Sequence, residues 1–377
     1  MPSRAVALFL SGVALVAVTL PAGAIEAEPA AQALAAALTG DSKAKVSFDS
    51  ARDEGGNIRI EGLSVADGDG DGTVRFANAV IQAPTEGGNG IFETPSITFS
   101  DGAISGKSKG SIAAATLTGV TVLDPEEVKE TGPGKGLLFA TAEARDLKIA
   151  RNNQPGEVTV ARVFVEVRNV VDNVPQDSRG TVEDIILPPE FFAEGKFKPQ
   201  AIGYDKLTLD VSWDGLRDLA AKTMTIRDFK LSLQDGGDFS VTGIMGNLPE
   251  PSQLNDPNAS SKAGATEVHT MTIRYDDKSL AGRVMDMLAA QQGITREAYA
   301  EQIAGALPFL LAALNNPEFQ NEVAGALGAF LKDPQSLTLK LEPTAPVSGQ
   351  DIMGIMQSSP QTLPDKLNAS VTANTAE

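Results

Sequence analysis

One eight-residue pattern recurs along this chain. Writing Φ for an apolar residue, it is Φ-x-Φ-x-x-Φ-x-Φ, found at 58–65 (IRIEGLSV), 115–122 (ATLTGVTV), 142–149 (AEARDLKI) and 224–231 (MTIRDFKL). A fifth copy at 165–170 (VEVRNV) keeps its first three apolar positions and loses phase at Asp172. The central pair is polar or Gly each time: Glu61-Gly62, Thr118-Gly119, Arg145-Asp146, Arg168-Asn169 and Arg227-Asp228. Each half alternates with period two, as a strand with one buried face does. The extra residue at the centre would throw every later side chain onto the opposite face, unless a β-bulge or short kink absorbs it. The pattern therefore predicts long, bent strands of one sheet. The plainer reading is that apolar and polar residues fall into this frame by chance in any β-rich chain. The copies start at uneven intervals, so the chain is not a fixed-period solenoid.

Lys206 to Trp213 shows the alternation most cleanly, with Leu207, Leu209, Val211 and Trp213 on one side. Turn residues punctuate the strands at Gly55-Gly56, Asp67–Gly72, Glu86–Gly90, Asn152–Gly156 and Asp235–Gly237. Residues 26–39 suit a short Ala-rich helix after Pro29, and 248–265 reads as a loop or linker. After a strand at His269–Tyr275 the apolar spacing becomes helical over 279–292, 295–314 and 317–332. Asp333-Pro334 stops the last of these. A strand at 336–341, a short helix near 349–357 and a strand near 366–372 close the chain. The expected fold is mainly β with a helical block (α+β): a long twisted antiparallel sheet with bulges, able to curl into a groove, and three to four helices near the C-terminus. The expected divisions are a signal peptide at 1–24, a β-rich region at 25–247, the linker at 248–265, and at 266–377 a helical block flanked by strands and packed on the same sheet.

Composition narrows the chemistry. Thirty-one Lys and Arg against 49 Asp and Glu give a formal charge of −18, which argues against nucleic acid as a partner. There is no Cys and one His, His269, which excludes disulfides, thiolate catalysis and multi-His metal sites. Aromatic residues are only 5 % and glycines number 36, a texture of short strands and turns. At the N-terminus Arg4, the apolar run Ala5–Leu20 and Ala22-Gly23-Ala24 have the layout of a cleaved secretory signal. A retained anchor is the alternative, since the run is just short of a spanning helix. The expected location is the periplasm.

Four short motifs invite a chemical reading. Asp67, Asp69 and Asp71, alternating with Gly, match the first half of a calcium loop. Position twelve is Asn78 rather than Glu, and the flanks read as strands, so weak calcium binding competes with a plain hairpin turn. No other cofactor is expected. Gly106-Lys107-Ser108-Lys109-Gly110 fits G-x-S-x-G, but a strand follows where that chemistry needs a helix. The same stretch ends like a P-loop yet has Asp101 where the first Gly belongs, so ATP is not an expected ligand. Ser42-x-x-Lys45 has no companion motif. His269 reads as a sheet-face residue and Trp213 as a core anchor before a turn. The apolar run Ile303–Leu314 is too short to span a bilayer. It reads as a buried helix on the sheet, or as a lid or membrane-facing hairpin over an apolar groove.

Taken together, KVSFDSARDEGGNIRIEGLSV, TVRFANAVIQAP, SITFSDGAI, YDKLTLDVSWD, TMTIRDFKLSLQDGGDFSVTGIMGNLP, the helical block and LKDPQSLTLKLEP resemble uncharacterised periplasmic proteins of proteobacteria, mainly alphaproteobacteria. They share a texture with AsmA-like and YdgA-like (domain of unknown function) envelope proteins. The resemblance implies a Gram-negative periplasmic location and long sheets curled into an apolar, lipid-shielding groove. It carries over no catalytic residues, and a cleaved signal departs from members that bridge two membranes. The function expected is non-enzymatic: binding of a lipid or other apolar ligand on a sheet groove lined by Leu207, Leu209, Val211, Met224, Ile226, Phe309 and Leu311. The alternative is a structural or protein-interaction component of the envelope, without ligand, that uses its sheet edges or acidic surface. A hydrolase would require Ser108 and His269 within hydrogen-bonding reach in a cleft.

Overall fold

The computed structural model describes residues 25–39, 43–87, 91–124, 136–152, 155–171, 174–195, 197–249, 264–312 and 315–376. The expected signal at 1–24, Ser42, Asp172, Leu314 and most of 248–265 lie outside the described residues. The described chain is mainly β with a C-terminal helical block, and its strand pairings are antiparallel. It forms two compact units that meet in sequence at Glu194/Gly195. That division falls earlier than the 248–265 segment, so three strands that precede this segment belong with the helices.

The first unit opens with helix α1 (Ala27–Thr39), as the Ala-rich composition predicts. Twelve strands follow: β1 (Lys45–Ser47), β2 (Ser50–Glu54), β3 (Asn57–Glu61), β4 (Ser64–Ala66), β5 (Gly72–Ile81), β6 (Thr85–Glu86), β7 (Phe92–Gly106), β8 (Ser108–Val122), β9 (Leu137–Leu138), β10 (Thr141–Arg151), β11 (Glu157–Val171) and β12 (Val174–Leu187). β3 and β4 lie end to end along β5, and the order continues through β7, β8, β10, β11 and β12. One face carries the core: Ile58, Ile60, Leu63, Phe76, Ile81, Phe92, Ile97, Phe99 and Phe139 are all essentially inaccessible. Ala30, Ala31, Leu34, Ala37 and Leu38 of α1 are buried in the same cluster. Phe76 and Phe99 meet at 5.4 Å between ring centroids. The opposite face is charged, with Arg162 bonded to Glu143 (2.9 Å) and Glu183 (3.0 Å) and Arg179 to Glu166 (2.6 Å).

The recurrent pattern does what it predicts here, but by a shared kink and not by separate bulges. Gly62, Ala77, Asp101, Ala113, Asp146, Ala161 and Asp184 stand in one row across the sheet, and the pairing register is the same on either side of them. Alternate members of the row have left-handed backbone: Gly62 at φ 66°, Asp101 at 54°, Asp146 at 51° and Asp184 at 52°. The members between them, Ala77, Ala113 and Ala161, are small and exposed. Every strand shifts phase at the same row, so neighbours slip together and no strand needs an unmatched residue. Gly and Asp supply the conformation that other side chains resist. The row also passes through 74–81 (VRFANAVI), which carries the full pattern, and 97–104 (ITFSDGAI), where Gly102 replaces an apolar residue. It passes too through 158–165 (VTVARVFV), and none of these three stands among the copies read from the sequence. Gly119, at φ 57°, marks a second such step nearer the other end of β8. Among the described strands of this unit, a bulge enters between β11 and β12, at Asn169.

The second unit contains β13 (Leu207–Asp218), β14 (Thr223–Leu233), β15 (Gly237–Gly246), β16 (Glu267–Asp277), the helices α2 (Leu280–Gln292), α3 (Arg296–Leu310) and α4 (Pro317–Lys332), then β17 (Ser336–Leu341), β18 (Val347–Ser348), α5 (Gly349–Ser358), α6 (Leu363–Leu367) and β19 (Ala369–Ala373). Strands β13 to β17 pair in chain order and β19 closes on β17. Thr295 and Asn316 cap α3 and α4 by accepting from the backbone N–H of Ala298 and Phe319. Here the slip is local. Register shifts flank Arg227-Asp228 of β14, because β13 and β15 alternate strictly and only β14 carries the extra residue. The turn expected at Asp214-Gly215 after Trp213 is not formed, since β13 runs on to Asp218.

Candidate functional site

In the second unit, cross-strand registry aligns apolar residues into rows that run through six strands. Val211, Leu231, Phe239, Tyr275, Leu337 and Ala373 form one row, and Trp213, Phe229, Val241, Ile273, Leu339 and Val371 the next. The bulge at Arg227-Asp228 returns Ile226 and Met224 to this face, opposite Gly243 and Met245. The other face is mostly polar, for example Ser212, Lys230, Ser240, Arg274, Thr338 and Thr372 in register, with Leu216 and Ile244 as apolar exceptions.

Cover on the apolar face is uneven. α4 packs on β17 and β19, burying Val323, Ala326 and Phe330, and the Phe330 ring meets Tyr275 edge-on at 6.1 Å. Over β14 and β15, Phe229 and Leu231 remain 36 % exposed and Phe239 37 %. Exposed large apolar residues are ordinary when scattered, but three adjacent ones on a continuous aliphatic face form a patch. Leu207, Leu209, Val211, Met224 and Ile226 are each half-buried, and the last four share this face.

The helical members of the expected groove are placed differently. α3 packs chiefly on α2 and α4, and Phe309 is 86 % exposed near its C-terminus. Leu311 caps the helix and is half-buried. Phe309 therefore lines no covered groove. The physical reason is that Ala300 and Leu307, not the C-terminal aromatic, supply the buried side of α3. The 303–312 part of the apolar run is neither a wholly buried helix nor a sheet lid; it is a helix on helices with a greasy end.

Burial pushes the Tyr275 phenol well above its usual range, and the Asp277 carboxylate, accepting from it at 2.6 Å, adds to the shift. Burial raises the Asp238 carboxyl, but Lys230, Lys278 and Ser232 outweigh it and hold it below the ordinary value. His269 sits at the β15–β16 bulge against Gly246, with Glu267 3.6 Å from its Nε2. Its Nε2 has no hydrogen-bond partner among the described residues. Ser108 opens β8 in the other unit, directly after a β-hairpin turn at Lys107, so the strand-to-helix elbow of a serine nucleophile is not formed. A cavity of about 560 Å³ beside α2 and α3 is lined by residues of both charges, Asp277, Asp286 and Glu301 with Arg283, Arg296 and Lys332 among them.

The aspartates of the expected calcium loop do not converge. Asp67 accepts from the Asp69 N–H at 3.2 Å, Asp69 lies 3.7 Å from Lys43, and Asp71 pairs with Lys107. Among the described residues no group of three His, Cys, Asp or Glu side chains is placed to hold a metal ion. The segment is the turn from β4 to β5.

A family model described as an uncharacterized protein matches residues 230–374, a span from β14 to the end of β19 that lies within the second unit. No curated protein matches the chain.

Proposed function

We propose that the protein is a non-enzymatic component of the periplasmic envelope that binds a lipid or another apolar ligand against the aliphatic face of the second unit's sheet. The observation that carries this reading is the asymmetry of cover: six strands present aliphatic rows, α4 closes one end, and Phe229, Leu231 and Phe239 stay more than a third exposed at the other. Leaving such a strip in water costs free energy that burial against an acyl chain recovers, at about 25 cal/mol per Å². The charge of −18 disfavours adsorption to anionic bilayers, so contact is with a ligand held on the face and not with a headgroup surface. A signal at 1–24 would deliver the chain to that compartment.

The alternative of a partner strand adding to a sheet edge is opposed at β19, whose Val371 N–H donates to Glu322 at 2.7 Å instead of standing open. The test is native mass spectrometry of protein purified from the periplasm without detergent, followed by organic extraction. A phospholipid or fatty acid near one per chain is expected. A clean apo mass, with no uptake from liposomes, would overturn the reading.

A further inference from the structure

The first unit holds a cavity of its own, apolar and of about 300 Å³, where the core face runs out at the end of β10, β11 and β12. Leu147 is the last fully buried residue of β10, and beyond it Ile149, Val158, Val160, Ile185 and Leu187 line open space. The space exists because β8 supplies no bulk in these rows: Gly110 pairs with Ile149 and Ser108 with Arg151. A 3₁₀ turn, Pro189–Phe192, forms the remaining wall with Phe191. Gly156 lets that turn approach, since a Cβ there would stand 3.1 Å from the Phe191 N and the Pro188 ring. Among the described residues of the lining Arg151 is the one charged side chain, with the Ser108 hydroxyl opposite it on the neighbouring strand.

We infer that this cavity binds the single alkyl chain of a fatty carboxylate, with Arg151 and Ser108 holding the carboxylate at its mouth. The volume lies at the lower end for ligand sites, which suits one chain and not a two-chain phospholipid. Aliphatic walls recognise the chain without direction, while a guanidinium beside a hydroxyl matches a carboxylate in charge and geometry. The inference rests on the apolar-ligand class proposed above but stands in the other unit, so each can fail alone.

The test is calorimetric titration of the protein with octanoate, decanoate, dodecanoate and tetradecanoate, each below its micelle concentration, with the methyl esters as uncharged controls. One-to-one binding is expected, strengthening about fourfold per methylene until the cavity is full and then levelling off. Arg151→Gln, at a half-exposed position, should weaken the carboxylates about tenfold and leave the esters unchanged. Val160→Trp should abolish both; an unchanged circular dichroism spectrum and melting temperature show that it folds, and Arg151→Gln decides the matter if it does not. Binding that ignores both substitutions but is lost in Leu231→Ser overturns this site and leaves the sheet-face reading standing. Absence of binding to any of the carboxylates overturns the site as well, and uptake from liposomes then decides the other reading separately.

Discussion

The two units solve the same problem, a strand with one residue too many, in different ways. In the first, the phase step at Gly62, Asp101, Asp146 and Asp184 is shared across every strand, so the sheet bends as a whole and keeps one unbroken apolar face around α1. In the second, single strands carry the extra residue and absorb it locally, β14 at Arg227-Asp228 and β16 at His269. The cores differ accordingly. Phe76, Phe92 and Phe99 are inaccessible in the first unit, whereas Phe229 and Phe239 are more than a third exposed in the second. The shared kink goes with one large buried cluster around α1, while the face beside the local bulge is covered only in part by helices. The first unit thus keeps its largest aromatic side chains out of water, and the second leaves part of its apolar face exposed, which is the surface the proposed function uses.

The largest test of that contrast is truncation on either side of it. Phe99→Ala removes an inaccessible ring in contact with Phe76 and should cost about 3–5 kcal/mol. Leu231→Ala, at a position 36 % exposed, should cost about 1 kcal/mol, since much of its surface is already wet. Guanidinium unfolding midpoints of the two variants measure the difference. Equal losses would mean that the second unit's face is as tightly packed as the first, and the functional contrast would fall.

Much of this was legible in the residues. The pattern at 58–65, 115–122 and 142–149 marks buried positions correctly at Ile58, Ile60, Leu63, Leu117, Val120, Ala144 and Leu147. It could not say that the steps align in one row, because alignment depends on strand pairing, which is a long-range property. Nor could it separate kink from bulge: Arg145-Asp146 and Arg227-Asp228 are the same dipeptide, and the strands beside them decide the outcome. That Leu209, Val211, Met224 and Ile226 share one apolar face was readable in part from period two, but the exposure of Phe309 was not. Helical spacing in an Ala-rich segment fixes a periodicity and leaves open which side meets a neighbour. The cavity above Val160 had no sequence signal of its own, because Gly110 and Ser108 matter only through the strand they face.

The kink row gives the next test in size. Asp146 is exposed, and its φ of 51° is a conformation that β-branched residues resist. Asp146→Val should therefore cost about 1–3 kcal/mol, while Asp146→Gly should be neutral or stabilise by up to about 1 kcal/mol. Thermal melts of the pair separate backbone strain from loss of the carboxylate. If Val and Gly melted alike, the left-handed step would not be what bends the strand.

The smallest effect expected is electrostatic, and it compares the polar faces of the two units. Burial pulls the Glu143 carboxyl upward, but the Arg145 and Arg162 guanidiniums outweigh it and hold the group below its ordinary value of 4.5. Asp238 in the second unit is depressed in the same sense by Lys230, Lys278 and Ser232. A carboxyl whose folded-state value is lowered contributes stability that is fully present above its unfolded value and lost as the pH falls through the folded one. Glu143→Gln and Asp238→Asn should each lower stability at neutral pH by up to about 1 kcal/mol, since such half-exposed pairs are weakened by solvent. The gap from the parent protein should then close as the pH drops below the ordinary carboxylate range. Urea unfolding at pH 7 and pH 3 reads this directly. A gap that persists at pH 3 would assign the loss to packing, and the charged ladders would then serve the solubility of the outer faces more than their stability.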